Sequence, residues 1–590
     1  MSFRPWVSAV STAVFLIAVL GWIQQSARAS EERPNIILIV VDALRPDHLG
    51  CYGYMRPTSP NIDSLAGSSV VLETAITQAP WTKGSFSSMF TSLYPFEHGA
   101  TDWESVLPDS MVTLAELLSA DGYSTMGVFN MIGLGGRFGV LQGFAKTVEP
   151  EDKHRNARQT TDKAIELIKG STRPFFLVVH YFDVHEPYRP PIECLDAIRL
   201  ESDPNPIGPG PRPAQPKAEN PTEEEILLAQ LMYDGCIRSV DRQIGRLVHK
   251  LEDEGILGST LLIVTADHGE GFWEHGTGSH GANTYDETIR VPLIIHYPAR
   301  FPGATSLGPQ VAHVDLLPTI TEIVGIDDSF HREGTSLVGL FDTGEKPRTP
   351  GKFLPSYATL CECTVRRAPG TKCIRTAGWK LIVEPTTSLV QLYNLSRDPG
   401  ETVNLWGADV PEGESMLRKI KEVPGVELQG WRMACTGKDG LTRFEAEVTL
   451  PDGGRFVSVD RFTRKGVLSV DLGGDSTSLR VESEPQGLDL ILFDVSPPDA
   501  PVKFQLRADG EGAPDSAGIG ALGEAEIAAP FTVDPADAAG LPHGFETDRA
   551  NLTPGIHIWW LSGESLGQAG GATELTPEEI KRLKALGYLQ

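Results

Sequence analysis

The stretch Pro34–Tyr54, PNIILIVVDALRPDHLGCYGY, decides the fold. From Ile36 to Val41 it is unbroken apolar and largely β-branched, and the run stops at Asp42. A run of strand length with no polar alternation suits a strand buried on both faces of a parallel sheet. Two later stretches share the form, PFFLVVHYFDVH (Pro174–His185) and STLLIVTADHG (Ser259–Gly269). Between them, Thr222–Gly255 carries apolar residues at helical spacing and ends on a glycine. Strands alternating with helices predict an α/β domain, doubly wound, with a mostly parallel sheet and helices on both faces. In such sheets ligands sit beyond the carboxyl ends of the strands. Asp42, His185 and the pair Asp267-His268 all fall there.

Outward from this core, the catalytic unit is expected over residues 30–350. Within it, Pro204–Pro221 repeats proline too often for regular structure and reads as an extended surface loop. A small α+β subdomain is expected over 351–425, with a strand pair around RTAGWKLIVEP and SLVQLYNLSRDPGE. From 426 to 570 short alternating stretches such as RFEAEVTL and LDLILFDV, separated by Asp, Gly and Pro, predict an accessory β-sandwich. Residues 571–590 hold an amphipathic helix capped by Thr576 with Glu579 three residues on. At the other end Arg4, an apolar run Val7–Ile23 and Ala27-Arg28-Ala29 describe a secretory signal peptide over residues 1–29. The run is short for a membrane span. The expected location is therefore secreted, periplasmic or extracellular, with membrane contact only if this segment stays uncleaved.

Composition narrows the chemistry. The chain of 590 residues has 51 basic and 78 acidic side chains, a net charge of -27. That charge repels nucleic-acid phosphates and argues against nucleic acid as a partner. An anionic substrate needs a local positive charge, and a bound metal ion supplies one. The seven cysteines are an odd number whose spacing reveals no pairing.

Four ordered pieces carry a family resemblance: the opening stretch to Tyr54; APWTKGSFSSMFTSLYPFEHGA (Ala79–Ala100); HYFDVHEPY (His180–Tyr188); and TADHGEGFWEHG with YDETIRVPLII, ending at Ile295. With WKLI and LYNLSRDPGETVN after them, the chain resembles the sulfatase family of the alkaline-phosphatase superfamily over about residues 34–405. The resemblance implies an alkaline-phosphatase-like fold and a metal-binding hydrolase of sulfate or phosphate esters. The family places its nucleophile in a motif Cys or Ser, x, Pro, x, Arg, whose first residue becomes formylglycine. Aligned on Thr91-Ser92, that motif puts Thr82 at the nucleophile, Gly84 at the proline and Phe86 at the arginine. Thr cannot become formylglycine, and its hydroxyl attacks only if a metal or base activates it. Relatives in the superfamily use an unmodified Thr or Ser, and Asp42, Thr82, Asp267 and His268 resemble their metal set. Ala43 stands where the family often has a second acid, so one oxygen ligand is lost. The remaining donor set favours zinc or manganese as the one divalent ion, with calcium possible.

The resemblance gives ester-contacting positions to His185 and His280, with His280 or His275 as general acid. Lys83, beside Thr82, is a candidate for the charge lost at Phe86. Asn130, in GVFNMIGLGG, and His275 are candidate substrate contacts. The leading reading is an exported hydrolase acting on a small-molecule, glycan or lipid ester. A phosphoryl-group transferase working on envelope lipid or polymer headgroups is the second. A catalytically inactive binding protein that kept the fold is the third, since Ala43, Gly84 and Phe86 all depart from the family motif.

Overall fold

The computed structural model describes residues 33–561, leaving out 204–220, 344–358, 364–370, 534–554 and some shorter stretches. The signal peptide and the C-terminal helix lie outside the described residues, as does most of the proline-rich loop. Among described residues no helix is long and apolar enough to cross a membrane.

The opening run forms the strand Asn35–Val41, every residue of which is buried. It pairs in parallel with Phe175–Tyr181 on one side and Thr260–Ala266 on the other, so it is central to the sheet. From edge to edge the strands run Thr305–Leu307, Val70–Ile76, Arg290–His296, Thr260–Ala266, Asn35–Val41, Phe175–Tyr181, Ser124–Val128 and Lys146–Val148, with Val311–Ala312 also paired to Val70–Ile76. Only Arg290–His296 runs antiparallel to its neighbours. Helices pack against both faces, and one apolar core fills the space between them. The fold is thus the doubly wound, mostly parallel α/β sheet that the apolar runs predict.

The longest helix, Glu223–Asp253, begins with a capping box: the Glu225 amide donates to Thr222 Oγ1 and the Thr222 amide to the Glu225 carboxylate, at 3.3 and 2.8 Å. A second sheet of four antiparallel strands (Thr359–Cys363, Thr371–Arg375, Trp379–Glu384, Leu389–Asn394) carries the helix Pro411–Ile420 on a separate apolar core. The strand pair read from sequence is the second half of that sheet. Beyond it, strands between Gly430 and Leu561 make sheets of six and five strands whose inner faces share a core around Trp431, Phe493 and Phe504. Among described residues Cys51, Cys194 and Cys236 are free thiols.

Candidate active site

Register assembles the centre. Val41 and Ala266 are partners across adjacent parallel strands, so the residues that follow them, Asp42 and Asp267, emerge side by side. Both are fully buried, as is His268. The three can offer ligand atoms within 4.8 Å of one another. His268 Nε2 lies 3.5 Å from Asp42 Oδ1 and 3.4 Å from Asp267 Oδ2.

A divalent ion fits this set. Both oxygens of Asp42 and Oδ2 of Asp267 are buried without a hydrogen-bond partner. Three orphaned anionic oxygens in one place would each cost about 1–3 kcal/mol or more without a cation. Asp267 Oδ1 is held by the amides of Ala43 and His268, at 3.1 and 2.9 Å. His268 Nδ1 stands 2.8 Å from the Gly269 carbonyl oxygen. With Nδ1 turned to that carbonyl, Nε2 is the ring nitrogen that would serve as a metal donor. The carboxyls are driven in opposite directions. Burial opposes ionisation of Asp42, but His185, His180 and His268 together hold its pKa below the usual range. Burial and the neighbouring Asp42 charge push Asp267 up.

Thr82 opens the helix Thr82–Thr91, and its Oγ1 lies 3.4 Å from His268 Nε2. The helix N-cap is the extended Trp81, so the Thr82 hydroxyl is not spent on capping. Two features fix this turn. Ser85 Oγ donates to the Asp267 carbonyl at 2.6 Å, tying helix to metal loop. Gly84 is packed so closely that a Cβ there would sit 2.7 Å from Trp81 Nε1 and 2.8 Å from Ala79 Cβ. The family's proline has no room at that position.

Phe86, in the family's arginine position, is fully buried and meets the His180 ring edge-on at 5.2 Å. Lys83 does not replace that arginine by a contact with the centre: its ammonium donates to the Ser105 carbonyl at 2.6 Å and lies 4.5 Å over the Phe138 ring. Asn130 spends its amide on Thr160 Oγ1 and the His180 carbonyl, at 2.7 and 2.8 Å, and its oxygen accepts from Arg155. It therefore braces His180. His275 lies against the second sheet: one ring nitrogen pairs with Glu287 at 2.8 Å, the other meets the Glu401 carbonyl at 3.1 Å, and the ring stacks on Tyr285. That environment leaves no ring nitrogen for an ester.

The histidines of the mouth are His185 and His280, whose rings are 4.7 Å apart. His280 also lies 4.2 Å from the His268 ring, and its Nδ1 is 3.0 Å from Glu270 Oε1. His185 donates to or accepts no side chain among the bonds described; its Nδ1 faces the Glu186 carbonyl at 2.6 Å. Burial disfavours its charge, but the carboxylates of Asp42 and Glu270 outweigh that and raise its pKa.

Three groups were not singled out in the sequence. His180 is the penultimate residue of the strand Phe175–Tyr181 beside Asn35–Val41, with Nε2 3.3 Å from Asp42 Oδ2. Its place at a strand's carboxyl end, next to Asp42, was the signal available. Glu270 is fully buried, bonded to Tyr188 and His280, and pushed up by burial against the pull of His185. His154 and His185 sandwich the Phe182 ring at 3.9 and 4.5 Å; the sequence spacing of His154 carries no hint of that stack.

Comparisons with known proteins bear on the family and the fold. The sulfatase family model matches residues 34–326, and the model of the N-sulphoglucosamine sulphohydrolase C-terminal region matches 278–423. Iduronate 2-sulfatase of Homo sapiens is 27% identical over 56% of this chain and 78% of its own length. An arylsulfatase of Clostridium perfringens is 25% identical over 67% of the chain and 95% of its own. Among solved structures, the phosphonate monoester hydrolase of Agrobacterium radiobacter superposes with TM-score 0.54 at 20% identity, covering 66% of this chain and 94% of that one. The accessory β-rich strands lie beyond both family models.

Proposed function

Because this chain belongs, through residues 34–423, to the sulfatase family of the alkaline-phosphatase superfamily, and so is a hydrolase of sulfate or phosphonate esters, we propose that it works with an unmodified Thr82 as nucleophile on a metal held by Asp42, Asp267 and His268. The observation that carries this reading is Thr82 Oγ1 beside His268 Nε2, next to the orphaned carboxylate oxygens. When bound, the divalent ion supplies positive charge for the ester oxygens and lowers the pKa of the hydroxyl. His268 and the carboxylates of Asp42 and Asp267 would hold the ion, and all three are buried away from bulk water.

As Thr82 Oγ1 attacks the ester sulfur or phosphorus and the bond to the leaving oxygen breaks, His280, oriented by Glu270, gives that oxygen its proton; His280 then takes a proton from the water that displaces Thr82 Oγ1 and frees the acid product. His185, whose proton is favoured by Asp42 and Glu270, holds an equatorial ester oxygen. His180, braced by Asn130, fixes Asp42. Export by the N-terminal segment is part of the same proposal. Two solved structures of similar fold are complexes with D-glucosamine-2-N,6-O-disulfate and a neocarrahexaose, which supports a sulfated sugar as the substrate class here.

Parallel turnover of an aryl sulfate, an aryl phosphate monoester and an aryl phosphonate monoester, with and without chelator, tests the reading. Chelator-sensitive turnover that falls by about 10^3 or more in Thr82→Ala, with a wild-type melting curve, is the expected result. Full activity in that variant removes Thr82 from the chemistry.

A further inference from the structure

The carboxylate that faces His280 is held by a second side chain. Glu270 Oε1 lies 3.0 Å from His280 Nδ1, and Oε2 accepts the Tyr188 hydroxyl at 2.8 Å. The backbone of Glu270 is fixed separately: its amide donates to the Glu287 carbonyl at 2.9 Å, and its own carbonyl accepts from the Arg45 guanidinium at 2.9 Å. What remains to be set is the turn of the carboxylate about its stem. A single bond to His280 would let that plane swing, whereas one bond at each oxygen fixes it. Glu270 is fully buried, so water does not take the place of a missing partner.

Tyr188 is well placed to supply that second bond. Its ring is buried, packs edge-on against Tyr233 at 5.6 Å and lies tilted beside Phe272 at 6.2 Å. Burial and the Glu270 charge hold its pKa well above the ordinary phenol value, so the hydroxyl keeps its proton and stays a donor. Tyr188 also stands three residues after His185, whose ring is 4.7 Å from that of His280. One short loop thus carries His185 into the mouth and, through Glu270, steadies His280 beside it.

We propose that Tyr188 is a positioning residue for departure of the leaving group: its hydroxyl fixes the Glu270 carboxylate, and the carboxylate holds the His280 imidazole toward the leaving oxygen. Tyr188 does not touch the ester and keeps its own proton throughout. The proton given to the leaving oxygen comes from His280 and is regained from water. This inference rests on the reading of His280 as proton donor and deepens it by naming what aims the donor. A misaligned donor slows the reaction most where the leaving oxygen most needs a proton. The signature is therefore a dependence on leaving-group basicity, which the loss of a packing contact would not produce.

The test measures kcat/KM of the full chain on aryl esters of the class, sulfate, phosphate or phosphonate, that wild type turns over fastest, with leaving phenols from 4-nitrophenol to phenol. Wild type is compared with Tyr188→Phe, which keeps the ring, and with His280→Ala. Tyr188→Phe is expected to lose about threefold on the 4-nitrophenyl ester and about thirtyfold or more on the phenyl ester, so that log kcat/KM falls more steeply with leaving-group pKa. His280→Ala is expected to steepen the plot further. Because Tyr188→Phe leaves a buried carboxylate with one donor fewer, the same change is also made in Glu270→Gln, where no carboxylate remains to be aimed and folding does not depend on that donor. There it is expected to cost less than about twofold on every ester. An equal loss on all esters in Tyr188→Phe, no loss on any, or a further drop of about tenfold in the Glu270→Gln background overturns the positioning role. A His280→Ala plot with the wild-type slope overturns the proton-donor reading instead.

Discussion

Gly84 shows how one missing side chain shapes the centre. Because Trp81 and Ala79 occupy the space a Cβ would need, Gly84→Ala must displace Trp81, the residue that starts the Thr82 helix. The variant is expected to lose activity by about tenfold or more and stability by about 1–3 kcal/mol, read by turnover and by denaturant unfolding. Ala43 carries the opposite kind of constraint. Its φ of 58° is left-handed, a conformation costing a side-chain-bearing residue about 1 kcal/mol. Ala43→Gly is expected to unfold at slightly higher denaturant while keeping the Ala43 amide bond to Asp267. Asp42, Thr82, Asp267 and His268 could be named from sequence because each sits at a strand or helix end inside a recognisable motif. His180 and Glu270 could not, since what marks them is a contact across the sheet or across a loop. Lys83 and Asn130 misled for the same reason: adjacency in sequence did not say that their polar atoms turn to Ser105 and to Thr160.

At the scale of elements, the junction between the active-site loop and the four-stranded sheet is ionic and buried. Asp286 receives two bonds from Arg375, at 2.9 and 2.7 Å, and one from Lys380 at 3.0 Å, while Lys380 also pairs with Glu401 at 2.9 Å. Removing the central acid in Asp286→Ala leaves buried Arg375 without its carboxylate and Lys380 with Glu401 alone, so a loss of about 3–5 kcal/mol is expected by denaturant unfolding. Lys380→Met, which removes a cation that has two acids to satisfy, tests whether charge or volume matters. His275 belongs to this junction. Burial disfavours its charge, but Glu287 and Glu401 raise its pKa from 6.5 to about 9. Since the folded value is the higher, the stabilisation is complete below about pH 6.5 and is lost as pH rises through about 9. A melting curve that falls over that window in wild type, and falls less in His275→Gln, is the expected pattern; a flat difference between the two proteins would contradict it. The strand pair here was visible in sequence through its alternation, but the ionic junction was not, because its members come from residues 275–287 and 375–401 and meet only after the sheet forms.

For the whole molecule, the strands after Gly430 have their own core, separate from the cores of the catalytic unit and of the small sheet. A chain ending after Val423 is therefore expected to fold and to hydrolyse aryl esters at close to the full-length rate, measured by steady-state turnover. The parallel sheet was legible because three apolar runs each ended at a polar group, the pattern of strands covered on both faces. The reversed strand Arg290–His296 was not, since direction within a sheet leaves no mark on composition. That sheet also acts as a ruler. Asp42 and Asp267 follow the paired residues Val41 and Ala266 of neighbouring strands, so the backbone hydrogen bonds between strands, about 4.8 Å apart, bring their backbones side by side while side-chain torsions set the carboxylates. If an ion sits there, one of different radius would be accommodated by the side-chain torsions of these acids and by His268 and Thr82, which are carried on a loop and a helix. If Thr82 is the nucleophile on that ion, changing the metal would also move its hydroxyl, and metal choice and alignment of the attacking oxygen would be linked.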